Sequence, residues 1–201
     1  LITVNPITPI IGSVNVCVGL TINLTDATAG GAWSSSVPTV ASVTSTGAVT
    51  GLTTGTTVIS YVLPTGCYAA SLVTVNTVPV PITGAGNVCV GATMTLSDGT
   101  IGGSWGSTNP SVATVTGSTG IVSGIGVGTT TISYTLGFGC TVNKTVTVDP
   151  LPNIITGPSA VCFGQSITLN STTPGGFWSS SAPLTASVSS TGVVTGMAPG
   201  T

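Results

Sequence analysis

An all-β fold, built as a tandem array of β-sandwiches, is predicted by three observations. Charged residues make up 2% of the 201-residue chain, whose polarity comes from Thr, Ser, Asn and backbone. Short runs rich in Val, Ile, Thr and Tyr alternate with period two, with Gly, Pro and Ser turns about every 8 to 12 residues. The third observation is self-similarity: CVGLTINL from Cys17 returns as CVGATMTL from Cys89 and CFGQSITL from Cys162, 72 and then 73 residues on. Such a period marks a repeat architecture. No segment places apolar residues at helical spacing, and its Gly and β-branched content disfavours helix.

Taken in order, the first repeat predicts seven strands, at ITPIIG, TINLT, GAWSSS, VASVTS, AVTGL, TVISYVL and SLVTVN. Seven short strands with turns between them are the pattern of an all-β sandwich. STG before AVTG reads as a tight turn, since Gly47 takes positive φ without steric cost. GGAWSSS returns as GGSWGST and GGFWSSS, with its Trp always 16 residues after the leading cysteine, at Trp33, Trp105 and Trp178. One large aromatic per unit supplies much of the area a small sandwich buries, so these three are the expected core anchors. The paired glycines before each Trp let the backbone bend at the strand entrance.

The expected boundaries are 1–6, the last strand of a preceding repeat; 7–78 and 79–151, two complete repeats; and 152–201, a third repeat lacking its last two strands. LITVNP matches LVTVNT and TVTVDP, so the chain reads as a window from a longer array.

The run VASVTSTGAVTGLTTGTTVISYVL resembles the bacterial immunoglobulin-like group 2 family, the modules of intimin- and invasin-type adhesins. The variant with VCVG, GGxWSSS and a late GC is similar to tandem repeats in large surface proteins of Bacteroidetes exported by type IX secretion. The resemblance covers essentially the whole chain and implies the sandwich fold and a spacer role, with ligand-binding or anchoring parts elsewhere. The cysteines depart from the common form of that family, which generally lacks them.

Five cysteines at repeating positions in a charge-poor chain point to disulfides, with one left over. In a tandem sandwich the first and last strands each cross the domain in the same direction. Cys17, after the first strand, and Cys67, in the hairpin before the last, then lie about 20 Å apart, whereas bridged Cα atoms lie within about 7 Å. A staple between neighbours, Cys17 with Cys140, is therefore favoured. By the same rule Cys89 and Cys162 pair forward and Cys67 backward, with cysteines outside the window. The alternative is pairing within a repeat, Cys17 with Cys67 and Cys89 with Cys140. A staple would restrict bending at junctions that VPVPITG and DPLPNIITG already stiffen.

No metal, cofactor or catalytic site is expected. The chain has no His and no close CxxC pair for a metal, and no base for a nucleophilic Ser. The equivalent Asp26 and Asp98 raise calcium, against which stand Ser171 at the third position and the lack of any Glu. Lys144 occurs in one repeat without a Glu partner and reads as a solvated strand residue. The sequons at Asn23, Asn143 and Asn170 fall at non-equivalent positions.

A net charge of −2 excludes nucleic acid as a partner, and no apolar run approaches the roughly 18 residues of a membrane helix. The expected function is a disulfide-stapled rod in a secreted, extracellular surface adhesin or filament. Its expected partners are neighbouring repeats and other copies of itself, and a host or environmental surface. The alternative is a module binding glycan or another surface through exposed aromatics, for which Tyr68, Phe138, Phe163 and Phe177 are the non-repeating candidates.

Overall fold

The computed structural model describes residues 7–201, so the expected strand at 1–6 lies outside the described residues. The chain divides into two compact units, Leu1–Asp149 and Pro150–Thr201.

Unit 1 holds two sandwiches of the same design. In the first, β1 (Asn15–Cys17), β7 (Tyr68–Asn76), β6 (Gly55–Val62) and β3 (Ala32–Ser35) form a four-stranded sheet in that order. Facing it are β2 (Thr21–Asn23), β5 (Ala48–Gly51) and β4 (Ala41–Val43). The second repeats the order with β8 (Asn87–Cys89), β14 (Thr141–Asp149), β13 (Gly128–Thr135) and β10 (Ser104–Ser107) over β9 (Thr93–Thr95), β12 (Ile121–Gly124) and β11 (Ala113–Val115). The first strand of each runs parallel to the last, Asn15–Cys17 against Thr74–Asn76 and Asn87–Cys89 against Thr147–Asp149. The fold is an all-β tandem of immunoglobulin-like sandwiches.

ITPIIG corrects the sequence reading, because it is not a strand. Its only ladder contact is one bridge between Ile11 and Thr25. Pro9 has no N–H to donate and Gly12, at φ +140°, turns the chain away, so a ladder stops after one pair. The first strand is instead NVC, 15–17.

Period-two alternation does the packing. In β6 the side chains of Thr57, Ile59 and Tyr61 point inward, and β7 sends Val73 and Val75 to meet them. With Val16, Leu24, Ala41 and Val49 they close a core that the second repeat rebuilds from Val88, Leu96, Ala113, Val122, Ile132, Val146 and Val148. Burial of each Val, Leu or Ile side chain there stabilises by about 1.5–3 kcal/mol.

Unit 2 has one three-stranded sheet, β15 (Ser166–Thr168), β17 (Val193–Gly196) and β16 (Ala186–Val188), in the place of β2, β5 and β4. Leu169, Ala186 and Val194 are only half-buried there, although Leu24, Ala41 and Val49 are fully buried. In unit 1 that face lies under the β6–β7 hairpin.

Candidate functional site

The repeated phrase around each tryptophan builds a clasp. A Cβ at Gly31 would lie 2.5 Å from the Tyr61 ring, so only glycine lets the ring reach the strand entrance. There the Tyr61 hydroxyl donates to the Thr28 carbonyl (2.8 Å) and accepts from the Gly31 N–H (2.8 Å). Tyr134 does the same with Thr100 and Gly103. Trp33 tilts against Tyr61 at 4.9 Å between centroids, and Trp105 against Tyr134 at 4.8 Å. Expected as core anchors, Trp33 and Trp105 lie half-buried on the flank of the core rather than inside it. Gly47, at φ +83°, lies against Trp33, where any Cβ would strike the Leu24 carbonyl and sit 3.0 Å from the indole; Gly120, at φ +70°, stands in the same relation to Leu96 and Trp105.

The serines after Trp33 satisfy a buried hydroxyl. Thr57, 2% exposed, lies 3.0 Å from the Ser35 hydroxyl and 3.2 Å from that of Ser36, and accepts from the Val37 N–H at 3.0 Å. Thr130 is held alike by Ser107, Thr108 and Asn109. Neither Thr nor Tyr was singled out from sequence, although GTTVISY and GTTTISY repeat them in register.

The chemically distinctive place is the junction of the two repeats. Cys17 closes β1 and faces Asn76 at the far end of β7, while Cys67 immediately precedes β7. Nine residues of strand at about 3.3 Å each separate Cys67 from that end, roughly 30 Å. Pairing within the repeat is thus out of reach. Cys17 is bonded to Cys140, with Cα atoms 5.7 Å apart and 123 residues between them in sequence. Cys140 sits after a single 3-10 turn, Gly137–Gly139, whose Phe138 holds φ +62°. The Leu136 N–H donates to the Cys140 carbonyl (2.8 Å), as Leu63 does to Cys67 (2.9 Å), so both hairpins end alike. The bond is sealed, with Cys17 5% and Cys140 0% exposed. Cys67 is half-exposed and Cys89 and Cys162 are exposed, all three as free thiols.

Asp26 caps a turn. One carboxylate oxygen accepts from the Thr8 hydroxyl (2.7 Å) and the Thr28 N–H (2.8 Å), tying the segment before β1 to the loop after β2. Burial pushes its carboxyl up, but the bonds from Thr8 and Thr28 outweigh that and hold it below the ordinary value. Asp98 accepts from the Thr100 N–H (2.7 Å), and Ser171 from Thr173 (3.3 Å). The aspartates serve as turn caps, and no group of three His, Cys, Asp or Glu suited to a metal occurs among the described residues.

Unit 2 holds a cavity of about 470 Å³ lined by Asn153, Thr173, Gly176, Phe177 and Trp178. Thr173, Gly176 and Trp178 are the counterparts of Thr28, Gly31 and Trp33, which grip a tyrosine ring in repeat 1. Tyr68, Phe138, Phe163 and Phe177 are all exposed.

No protein-family model and no curated protein matches the chain. Among solved structures it is similar to the C-terminal 282-residue fragment of intimin in complex with the translocated intimin receptor intimin-binding domain, at 19% identity and TM-score 0.45, covering 74% of this chain and 67% of that one. It is similar to invasin, described as a bacterial integrin-binding protein, at 16% identity and TM-score 0.41, covering 96% of this chain and 55% of that one. It is also similar to domains 4 and 5 of the S-layer protein SbsC, at 25% identity and TM-score 0.30, covering 64% and 82%.

Proposed function

We propose that the chain is a structural segment of a secreted, cell-surface adhesin or extracellular filament, a rod of immunoglobulin-like repeats at 7–78, 79–151 and 152–201. The observation that carries this reading is the Cys17–Cys140 disulfide, which joins the first strand of one repeat to the last hairpin of the next. A bond in that place does nothing for either core alone. It restrains the angle between neighbours, and stiffness along the axis is what a stalk requires. Cys89 and Cys162 occupy the place of Cys17, and Cys67 that of Cys140, so each is proposed to pair with a cysteine of another repeat. Disulfides in turn fit an oxidising, extracellular setting.

The reading is non-enzymatic. A chain without His or Glu and with a single Lys is poor in the groups that general acid–base catalysis most often draws on. With so few charges, little repulsion keeps copies apart, and lateral packing of rods follows. Electron microscopy of unreduced material tests this: filaments of constant width with repeats side by side are expected. Isolated thin strings would remove lateral assembly and leave a spacer.

A second reading, a glycan- or surface-binding module, draws on the exposed Phe177 beside Trp178 in unit 2. The same cavity lining grips a tyrosine in the other repeats, which favours packing over ligand. Retention of unit 2 variants Phe177→Ala and wild type alike on a glycan surface would argue against it.

A further inference from the structure

We propose that the staple makes unit 1 an almost inextensible link, by taking all of its strands but β1 and β14 out of the path that tension follows. This rests on the rod reading above, since only a chain under load uses such a property. The bond spans 123 residues, from Cys17 to Cys140. Tension entering ahead of β1 reaches Cys17, crosses the sulfurs to Cys140 and leaves along β14. Everything from residue 18 to residue 139 hangs as a closed loop beside that route. The loop contains β2 to β13, with both three-stranded sheets and all the paired hydroxyls of Thr57 and Thr130.

What remains on the route is already long. β1 and β14 are strands, and a strand of nine residues such as β14 rises at about 3.3 Å per residue, close to the limit of an extended chain. Pulling them yields little length. The strands that pair with them stand off the route. β14 is bonded along its whole length to β13 and at its far end to β8, and β1 to β7. Because β7, β8 and β13 all lie in the unloaded loop, these ladders carry no tension, which runs instead through the backbone of β1 and β14 and the two sulfurs. The bond itself is buried between Cys17 and Cys140, so dissolved thiols reach it only when β1 or the 137–139 turn moves.

The test is to pull the whole unreduced chain by its two ends, with non-reducing peptide mapping of the same preparation. Unit 2 provides an internal control, its 52 residues reaching an extended length of about 170–190 Å. Before reduction unit 1 is expected to lengthen by less than about 30 Å, and after reduction by a further 400–440 Å or so. The Cys17→Ser, Cys140→Ser double variant, checked by circular dichroism for its fold, is expected to release that length without reductant. Lengthening of about 30–70 Å before reduction, with Cys17–Cys140 mapped, would mean that the segments on the route give way, and would overturn the inextensible link while leaving the staple standing. Two releases of about 170 Å on reduction would mean pairing within each repeat and would overturn the staple as well.

Discussion

At Gly47 one missing methylene decides whether a tryptophan has room. Gly47 and Gly19 share a positive φ, +83° and +81°, but a Cβ meets backbone and indole at Gly47 and open space at Gly19. Both Ala variants pay the left-handed strain of about 1–2 kcal/mol. Gly47→Ala is expected to cost at least about 1–3 kcal/mol more, since overpacking adds to it. Equal urea midpoints for the two would show that the indole yields freely. Asp26 gives a pH signature. Its folded carboxyl titrates below the ordinary value of 3.8, so the stability it contributes is complete above that value and is lost as pH falls through the lower, folded one. Asp26→Asn is expected to flatten that acid fall in a thermal melt series, and an unchanged slope would assign the fall elsewhere.

At the level of elements, alternation and turn residues were enough to place six of the seven strands of repeat 1. The miss is instructive. ITPIIG has the hydrophobicity of a strand, yet Pro9 and Gly12 limit it to a single bridge, and the shorter NVC takes the ladder because β7 offers it a free edge. Propensity is a local quantity, whereas an edge is supplied by another element, here the far end of β7, where Thr74 pairs with Asn15. The staple belongs to this scale too. On the chain-entropy account a loop of 123 residues confers about 4–5 kcal/mol. Replacing both Cys17 and Cys140 by Ser is therefore expected to lower the urea midpoint of unit 1 clearly. An unshifted midpoint would mean that the linker and the packed turn hold the junction unaided.

For the whole molecule, the scarcity of charge bears on the lateral assembly proposed above. Between about 0.01 and 1 M salt the screening length shrinks from roughly 30 to 3 Å, which dissolves contacts built on ion pairs. The proposed self-association, followed by light scattering, is expected to hold or strengthen over that range. A collapse with salt would point to its few aspartates and Lys144 as the contact. The sequence by itself determined the β class, the repeat and its period, because alternation and turn chemistry act over a few residues and are written locally. It also marked the cysteine positions as equivalent. Which cysteines meet depends on tertiary structure: the sequence favoured Cys17 with Cys140 but left pairing within a repeat open, and the strand geometry decides between them. Cys17 and Cys67 are near in sequence and about 30 Å apart along β7, because a strand is rigid and straight. Cys17 and Cys140 are far in sequence and bonded, because parallel first and last strands bring the end of one repeat's opening strand to the hairpin of the next. The same holds for the tryptophans: their recurrence is legible in the chain, but their place on the flank follows from the tyrosine and glycine that the opposite strands bring to them.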